Sequence, residues 1–217
     1  MPRPPASQPS AKSRILACAS DLFYRKGINH VGINEIIETS GIARMTLYHH
    51  FKSKNDIVVA VLEARMTERR DAITHAIDAA RSPRDKVMAA FGYLRQIVST
   101  PEFRGCVFIN ATVELADALH PGAVLSAEQK RRMATCFEQI AREAGWPNPV
   151  EFGLQCQLLW DGAIAGAQVN YSADPVGDAC KVLDALITAR ASGALKRGNV
   201  RTAHDSNRKK ECAHAAR

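Results

Sequence analysis

A short stretch near the amino end, residues 32–54, constrains the fold of this chain more than any other segment. It holds two short helix-forming runs, around residues 33–39 and 44–50, with Gly41 between them. Glycine closes a tight turn between two helices most easily, so this spacing predicts a helix-turn-helix. Apolar side chains recur at spacings that would hold both short helices against a preceding helix: Ile33, Ile36, Ile37, Ile42 and Leu47.

Capping residues mark helix starts in the first half of the chain. Ser10 can cap a first helix that ends near Gly27, and Ser53 with Asp56 forms a capping box that opens a long helix. Ser82 precedes a proline at the first position of the next helix. No segment alternates apolar and polar residues as a half-buried strand would. The pattern predicts an all-α fold of nine helices in two domains.

Prolines and glycines set the predicted helix boundaries in the second half. One helix is expected over residues 104–119 with Pro121 as its stop, and the next is expected to begin at Ser126. A mostly apolar helix over about 150–171 and a final helix over about 175–192 complete the chain.

Charge is distributed unevenly along the 217 residues. Residues 1–54 carry eight Lys/Arg against three Asp/Glu (+5), residues 55–192 carry 14 against 17 (−3), and residues 193–217 carry seven against two (+5). Basic ends attract a polyanion such as DNA, whereas a mildly acidic body does not. We expect a flexible arm at 1–9, a helix-turn-helix domain at 10–54, a helical body at 55–192 and a disordered basic tail at 193–217.

Several classes of protein are disfavoured by what the sequence lacks. No run of 18 apolar residues is present, which argues against a membrane span, and no export signal precedes the first helix. A cytoplasmic protein with free thiols is therefore expected. No metal-ligand spacing and no catalytic motif is found, so we expect no metal, no cofactor and no enzymatic activity. Cys106 is either a buried small hydrophobe, the commoner case, or a sensor of electrophiles or oxidants if a nearby arginine lowers its pKa.

Polar side chains crowd the second helix of the predicted hairpin. Arg44 can donate two hydrogen bonds to a guanine edge, and Thr46 can bond a phosphate and place its methyl group on thymine. Tyr48 offers a phenol to the DNA backbone. Lys52 and Lys54 add positive charge where the long helix begins, and a helix amino end itself favours phosphate. Spacing alone leaves open a helical hairpin with a merely polar surface.

One run of residues is more specific than spacing: Gly-Ile-Ala-Arg-Met-Thr-Leu-Tyr-His-His-Phe-Lys-Ser-Lys, residues 41–54. With the apolar pattern before it, this run makes residues 10–62 closely resemble the DNA-binding domain of TetR-family transcriptional regulators. The resemblance implies a homodimer, usually a repressor, that reads two half-sites of a palindromic operator. It also implies that the body, residues 55–192, binds a small-molecule effector and then releases DNA. By matched position, bases would face Arg44, Met45, Thr46 and His49, and phosphates would be held by Thr46, Tyr48, His50 and Lys54.

The chain departs from the family pattern at the helix caps. Gly32 and Ala43 stand where Ser or Thr often caps the two short helices. Because alanine is a poor cap, we expect the second helix of the predicted helix-turn-helix to be anchored less firmly at its start. Ile37 replaces a residue that is usually small, which suggests slightly different packing.

The dimer interface is expected on the last two helices. Gly162 and Gly166 lie four residues apart in the helix over about 150–171, and small residues at that spacing let a second helix approach closely. The family places its two-fold interface on this helix and on the one over about 175–192. A seam inside one subunit is the alternative.

An effector pocket is expected among the middle helices, residues 84–171, because ligand sites pair apolar walls with a few polar groups. Each candidate alone is more often ordinary core or surface. The apolar candidates are Phe91, Phe108, Met133, Phe137 and Trp160, and the polar ones are Asn110, Glu114, Gln157 and Asp161.

Two other functions stay open. One is a DNA-organising protein without a ligand, which the basic tail favours. The other is an all-α enzyme that uses the hairpin as scaffold, against which the missing catalytic residues count.

Overall fold

The computed structural model describes residues 9–193, and all regular structure in that part of the chain is helical. The expected all-α fold of nine helices is confirmed there. The predicted arm (1–9) and basic tail (193–217) lie outside the described residues except at Pro9 and Gly193. None of the described helices is long and apolar enough to cross a membrane. The helices are α1 (Ala11–Lys26), α2 (Ile33–Ser40), α3 (Arg44–His50), α4 (Lys54–Asp78), α5 (Pro83–Val98), α6 (Val107–Leu115), α7 (Pro121–Glu143), α8 (Pro149–Asn170) and α9 (Asp174–Ala191).

Helices α1, α2 and α3 pack around one small apolar core. The Ser10 hydroxyl caps α1 by accepting a hydrogen bond from the Ser13 backbone N–H at 3.1 Å. Gly41 ends α2 in the left-handed region, with φ 62, and turns the chain into α3 as the sequence predicted. The buried side chains of this domain include Ile15, Ala19, Leu22, Phe23, Ile36 and Leu47.

Helix α4 joins this domain to the body. Its capping box is complete, because the Ser53 hydroxyl accepts from the Asp56 N–H at 3.1 Å and the Asp56 carboxylate accepts from the Ser53 N–H at 3.1 Å. Its 25 residues span roughly 37 Å at 1.5 Å per residue. The helix packs on α1 and also on α5 and α7. A movement of α4 relative to the body would therefore carry the first three helices with it.

The body is built from α5 to α9 around an aromatic cluster. Helices α7 and α8 form the most extensive pair, and α9 packs against α8 and α5. Trp160 meets Phe91 edge to face with ring centroids 5.3 Å apart, and Phe137 lies 5.9 Å from Phe91 and 6.4 Å from Trp160. These tilted contacts are the favoured geometry for buried rings.

The boundaries predicted around Pro121 were wrong. Helix α6 is shorter than 104–119, since it starts at Val107 and ends where Ala116 adopts φ 50. Pro121 begins α7, five residues before the predicted start at Ser126. Proline fixes φ near the helical value and lacks an N–H that the first turn would leave unpaired, so it starts a helix as readily as it follows one.

Candidate nucleic-acid interface

Helix α3 presents a polar outer face on an apolar anchor. Leu47 is fully buried, and Ile42 just before the helix is buried as well. Met45 is 80% exposed, and Arg44, His49 and His50 are also exposed, whereas Thr46 and Tyr48 are half-buried. A short helix held from below by one apolar residue, with hydrogen-bonding groups above, has the shape of a major-groove reader.

A second helix orients the side chain of Arg44. Its Nη2 donates to the Asn34 Oδ1 on α2 at 2.7 Å. Because asparagine is neutral, the guanidinium keeps its full charge for a base edge or a phosphate. Asn34 was not predicted from the sequence, since nothing in its spacing marks it as a partner of Arg44.

Basic side chains flank α3 on both sides. Lys52 Nζ donates to the Tyr48 carbonyl oxygen at 3.3 Å, and half-buried Lys54 is the first residue of α4. Lys12, on α1, places its Nζ 6.0 Å from the centre of the Phe51 ring. The sequence analysis did not predict that Lys12 lies beside α3. Its position in the first turn of α1 was the one signal for this. Phosphates on either side of a groove would meet this charge.

Gly32 and Ala43, the residues that precede α2 and α3, have no side-chain group that can cap a helix. No side-chain cap hydrogen bond is formed at Gly32 or Ala43. Arg14 on α1 compensates in part, because its Nη2 donates to the Ser40 carbonyl oxygen at 2.8 Å and holds the end of α2. The turn is therefore secured from α1 rather than by α3 itself.

The five apolar residues predicted to line an effector pocket are core residues. Phe91, Phe108 and Phe137 have no exposed surface, Trp160 is 1% exposed and Met133 is buried. Their rings fill the space they were expected to enclose. A ligand-contacting role for them stays a prediction, and their close packing favours an effector site elsewhere in the body.

Asn110 and Glu114, two of the predicted polar ligand contacts, form hydrogen bonds that stabilise other parts of the fold. Asn110 Nδ2 donates to the Arg104 carbonyl oxygen at 2.8 Å and orders the loop before α6. Glu114 binds Asn29 in the first domain, because its Oε2 accepts from the Asn29 N–H at 2.9 Å and its carbonyl oxygen accepts from Asn29 Nδ2 at 2.8 Å. These bonds give both residues a structural task.

The other two polar candidates, Asp161 and Gln157, lie on α8. Asp161 accepts a hydrogen bond from Lys130 on α7. The Gln157 amide is buried without a hydrogen-bond partner among the described residues. The four polar candidates therefore do not converge on one point, and their role in binding stays a prediction.

Cys106 lies in an electropositive pocket at the start of α6. It is 1% exposed and occupies the position that caps the helix. Lys130 Nζ and Arg69 Nη1 donate to its sulfur at 3.6 and 3.7 Å. Burial alone would raise the pKa of the Cys106 thiol, but the charges of Lys130 and Arg69 oppose it and the pKa falls below its ordinary value. By contrast, burial raises the pKa of Cys156 to about 12.

An exposed helix-turn-helix on a helical body defines a class of DNA-binding protein, and comparisons with known proteins agree. The family described as bacterial regulatory proteins, tetR family, matches residues 15–61. The HTH-type transcriptional repressor NemR of Escherichia coli (strain K12) is 23% identical over 190 residues, which cover 83% of this chain and 95% of that protein.

Solved structures extend the likeness beyond residues 15–61 to about four fifths of the chain. A TetR-family transcriptional regulator from Streptomyces coelicolor is 26% identical, with a TM-score of 0.79 over 83% of this chain and 96% of that one. The reduced form of E. coli NemR is 21% identical, with a TM-score of 0.71 over 81% of this chain and 96% of that one, and it supports the fold. The resemblance of this chain to TetR-family transcriptional regulators is thereby confirmed. These relatives are described as transcriptional regulators.

Proposed function

We propose that this chain is a cytoplasmic, homodimeric transcriptional repressor that binds a palindromic operator and releases it when a small molecule binds the body. The observation that carries this proposal is the outer face of α3, where exposed Arg44, Met45 and His49 surround the buried anchor Leu47. Residues 10–54 are the DNA-binding domain, and residues 55–192 are the effector and dimerisation domain.

The proposed contacts divide by what each side chain can reach. Arg44, Met45, Thr46 and His49 would meet base edges, where a bidentate arginine–guanine contact gives sequence preference. Tyr48, His50 and Lys54, with Thr46 again, would hold phosphates and fix the register of the helix on the duplex. The neutral Asn34 partner of Arg44 supports this assignment, because it aims the guanidinium without neutralising it.

The proposed dimer interface is an exposed apolar stripe on α8. Its members recur every three or four residues and so share one face of the helix. Val182 on α9 is also exposed. Contiguous exposed apolar surface marks an interaction site, and a two-fold copy would place the two α3 helices for half-sites about 34–36 Å apart. The stripe consists of Val150, Leu154, Leu158, Gly162, Ala165 and Val169.

A reactive electrophile is a second candidate for the effector, favoured by the surroundings of Cys106. Two cations lower the pKa of its thiol, and the thiolate is the nucleophile. On an unsaturated carbonyl compound, the sulfur would bond to the β carbon while the carbon–carbon π pair moves to the α carbon, which takes a proton from water. The adduct would crowd the start of α6, where Cys106 is only 1% exposed.

Selection of bound DNA fragments from a random pool tests the proposed function. Purified full-length protein should enrich one palindromic sequence, and footprinting should give protection on one side of the helix. Enrichment without any shared sequence would instead favour a DNA-organising protein. No retention of any duplex at modest salt would contradict DNA binding altogether.

A further inference from the structure

A cavity lies where the DNA-binding domain meets the body, and we name it the junction cavity. Its volume is ≈ 210 Å³. Its walls come from Tyr24 on α1, Arg65 and Arg69 on α4, Tyr93 on α5 and Val107 at the start of α6. At about 30 Å³ per water molecule the space holds about seven waters, which is the size of a small organic molecule. None of the nine residues predicted as ligand contacts lines it.

The walls combine apolar surface with two phenols and the hydroxyl of Thr100. Ile97, Phe103 and Val107 supply part of the apolar surface. Burial raises the pKa of Tyr24 and likewise that of Tyr93, so both phenols stay protonated near neutral pH and can donate hydrogen bonds. A ligand with an apolar body and a hydrogen-bond-accepting end fits these walls.

The junction cavity is lined by two arginines, Arg65 and Arg69, and by two glutamates, Glu68 and Glu102. Arg65 already has partners, because its Nε donates to the Ser20 hydroxyl at 2.8 Å and its Nη1 lies 3.4 Å from Glu68 Oε2. Arg69 stacks over the Phe108 ring at 5.2 Å and donates to the Cys106 sulfur, and no carboxylate in the described part of the chain pairs with it. A half-buried guanidinium without a carboxylate partner attracts an anion, most strongly a planar one.

Tyr24 connects the junction cavity to the DNA-binding domain. Its hydroxyl donates to the Gly105 carbonyl oxygen at 3.0 Å and accepts from the Arg104 N–H at 2.8 Å. Gly105 has φ 85, and a Cβ there would lie 2.2 Å from Gln168 Oε1, so the loop is fixed tightly against α8. A ligand that hydrogen-bonds Tyr24 must compete with this loop and would loosen α1 from the body.

We propose that the junction cavity binds a small apolar carboxylate, with its charged end at Arg69, and that the Tyr24 hydroxyl passes occupancy to the DNA-binding domain. The binding step stands alone, whereas the release step rests on the proposed function. An effector at this position touches α1 and α4 at once, the two helices that set the position of α3.

Benzoate, with benzamide as its uncharged counterpart, tests the binding step. Benzoate should raise the melting temperature of the full-length protein in a concentration-dependent way, and benzamide should not. Arg69→Gln should weaken benzoate binding about tenfold or more in titration calorimetry, because it removes the charged partner. Arg70→Gln is the matched control, since Arg70 is exposed, pairs with Asp71 and does not line the cavity; it should bind benzoate like the original chain.

Three results would overturn the binding step. They are equal effects of benzoate and benzamide on the original chain, full benzoate binding by Arg69→Gln, and no effect of benzoate at millimolar concentration. The comparison of benzoate with benzamide needs no variant, so it decides even if Arg69→Gln does not fold.

Tyr24→Phe tests the release step, because it removes the hydroxyl and keeps the ring. Using an operator found by fragment selection, benzoate should weaken binding by the original chain at least about fivefold and by Tyr24→Phe less than about twofold, compared at equal occupancy of the cavity. Equal release by both proteins would exclude Tyr24 as the connection. If no duplex is selected, the proposed function fails while the calorimetric result on benzoate still stands.

Discussion

Helices α3 and α8 are both anchored by buried apolar side chains, but their exposed faces differ in polarity. Helix α3 rests on buried Leu47 and exposes hydrogen-bonding groups, whereas α8 rests on buried Trp160 and exposes Leu154 and Leu158, which are 60% and 73% accessible. Each helix is anchored by apolar packing below. The surface left above it differs, and that difference is why different partners are proposed: DNA for the polar, basic face and a second copy of the chain for the apolar one.

Leu158→Glu should have the largest effect, because it places two unpaired charges in the proposed two-fold interface. Leaving a buried charge without a partner costs roughly 3 kcal/mol or more, so the dimer should dissociate and operator affinity should fall at least about a hundredfold. Analytical ultracentrifugation gives the mass and gel shift gives the affinity. Thr135→Glu, an exposed position on α7, should change neither. A dimeric Leu158→Glu protein would place the interface elsewhere.

Comparison of Leu47→Ala with Met45→Ala distinguishes the residue that anchors α3 from a residue that contacts DNA. Truncating a fully buried leucine costs about 3 kcal/mol of unfolding free energy, which should be lost from the first domain together with DNA binding. Met45→Ala, at an exposed position in the same helix, should leave urea unfolding unchanged and weaken operator binding only. Equal unfolding curves for the two variants would contradict the description of Leu47 as the anchor.

Arg44→Ala and Tyr48→Phe divide base reading from phosphate holding. Loss of the arginine should weaken operator binding by about 1–3 kcal/mol and relax the preference at one base pair. Loss of the Tyr48 hydroxyl should weaken binding to all duplexes by a similar factor, with no change in base preference. Competition binding against single-base operator variants measures both. A relaxed preference in Tyr48→Phe alone would exchange the two roles.

The iodoacetamide reaction of Cys106 tests the electrophile hypothesis. Because Lys130 and Arg69 lower the pKa of the thiol, its thiolate fraction, and with it the rate of S-alkylation, should persist to lower pH than for an ordinary cysteine. Lys130→Gln removes one cation, raises that pKa and should shift the rate profile toward higher pH. Lys181→Gln, on an exposed part of α9, is the control. Peptide mass spectrometry measures the rates, and coincident profiles would contradict the role of Lys130.

Local signals predicted the fold well, and long-range contacts explain where prediction stopped. Gly41 and the Ser53–Asp56 box determine their turns through bonds to near neighbours, so the helix-turn-helix and the start of α4 could be read directly. Pro121 is compatible with both an end and a start, and only the packing of α6 decides between them. The phenol of Tyr24 bonds to backbone 80 residues away, which no local pattern encodes.

Prediction of the effector site from the sequence was also limited by what a local pattern can encode. An apolar residue at a helical spacing is expected in the core whether or not a ligand lies beside it. Phe91 and Phe137 satisfied that pattern and proved to be close-packed against Trp160, whereas the junction cavity is lined in part by arginines and tyrosines that no sequence pattern singled out. Hydrophobic periodicity indicates which side chains are buried, but it does not indicate where packing leaves a space.

Ala43→Ser should have the smallest effect and bears most directly on how α3 is supported. The backbone at Ala43 is already extended, with φ −61 and ψ 142, and no side chain caps the helix. A serine hydroxyl there could accept a hydrogen bond from the first turn and add about 0.5–1 kcal/mol to the unfolding free energy of the domain. If α3 is held mainly by Leu47 and Arg14, operator affinity should rise less than about threefold, because a better cap adds stability without moving the reading face. A larger rise, measured by gel shift beside urea unfolding, would mean that the uncapped start frays in free protein and that DNA binding must first order it.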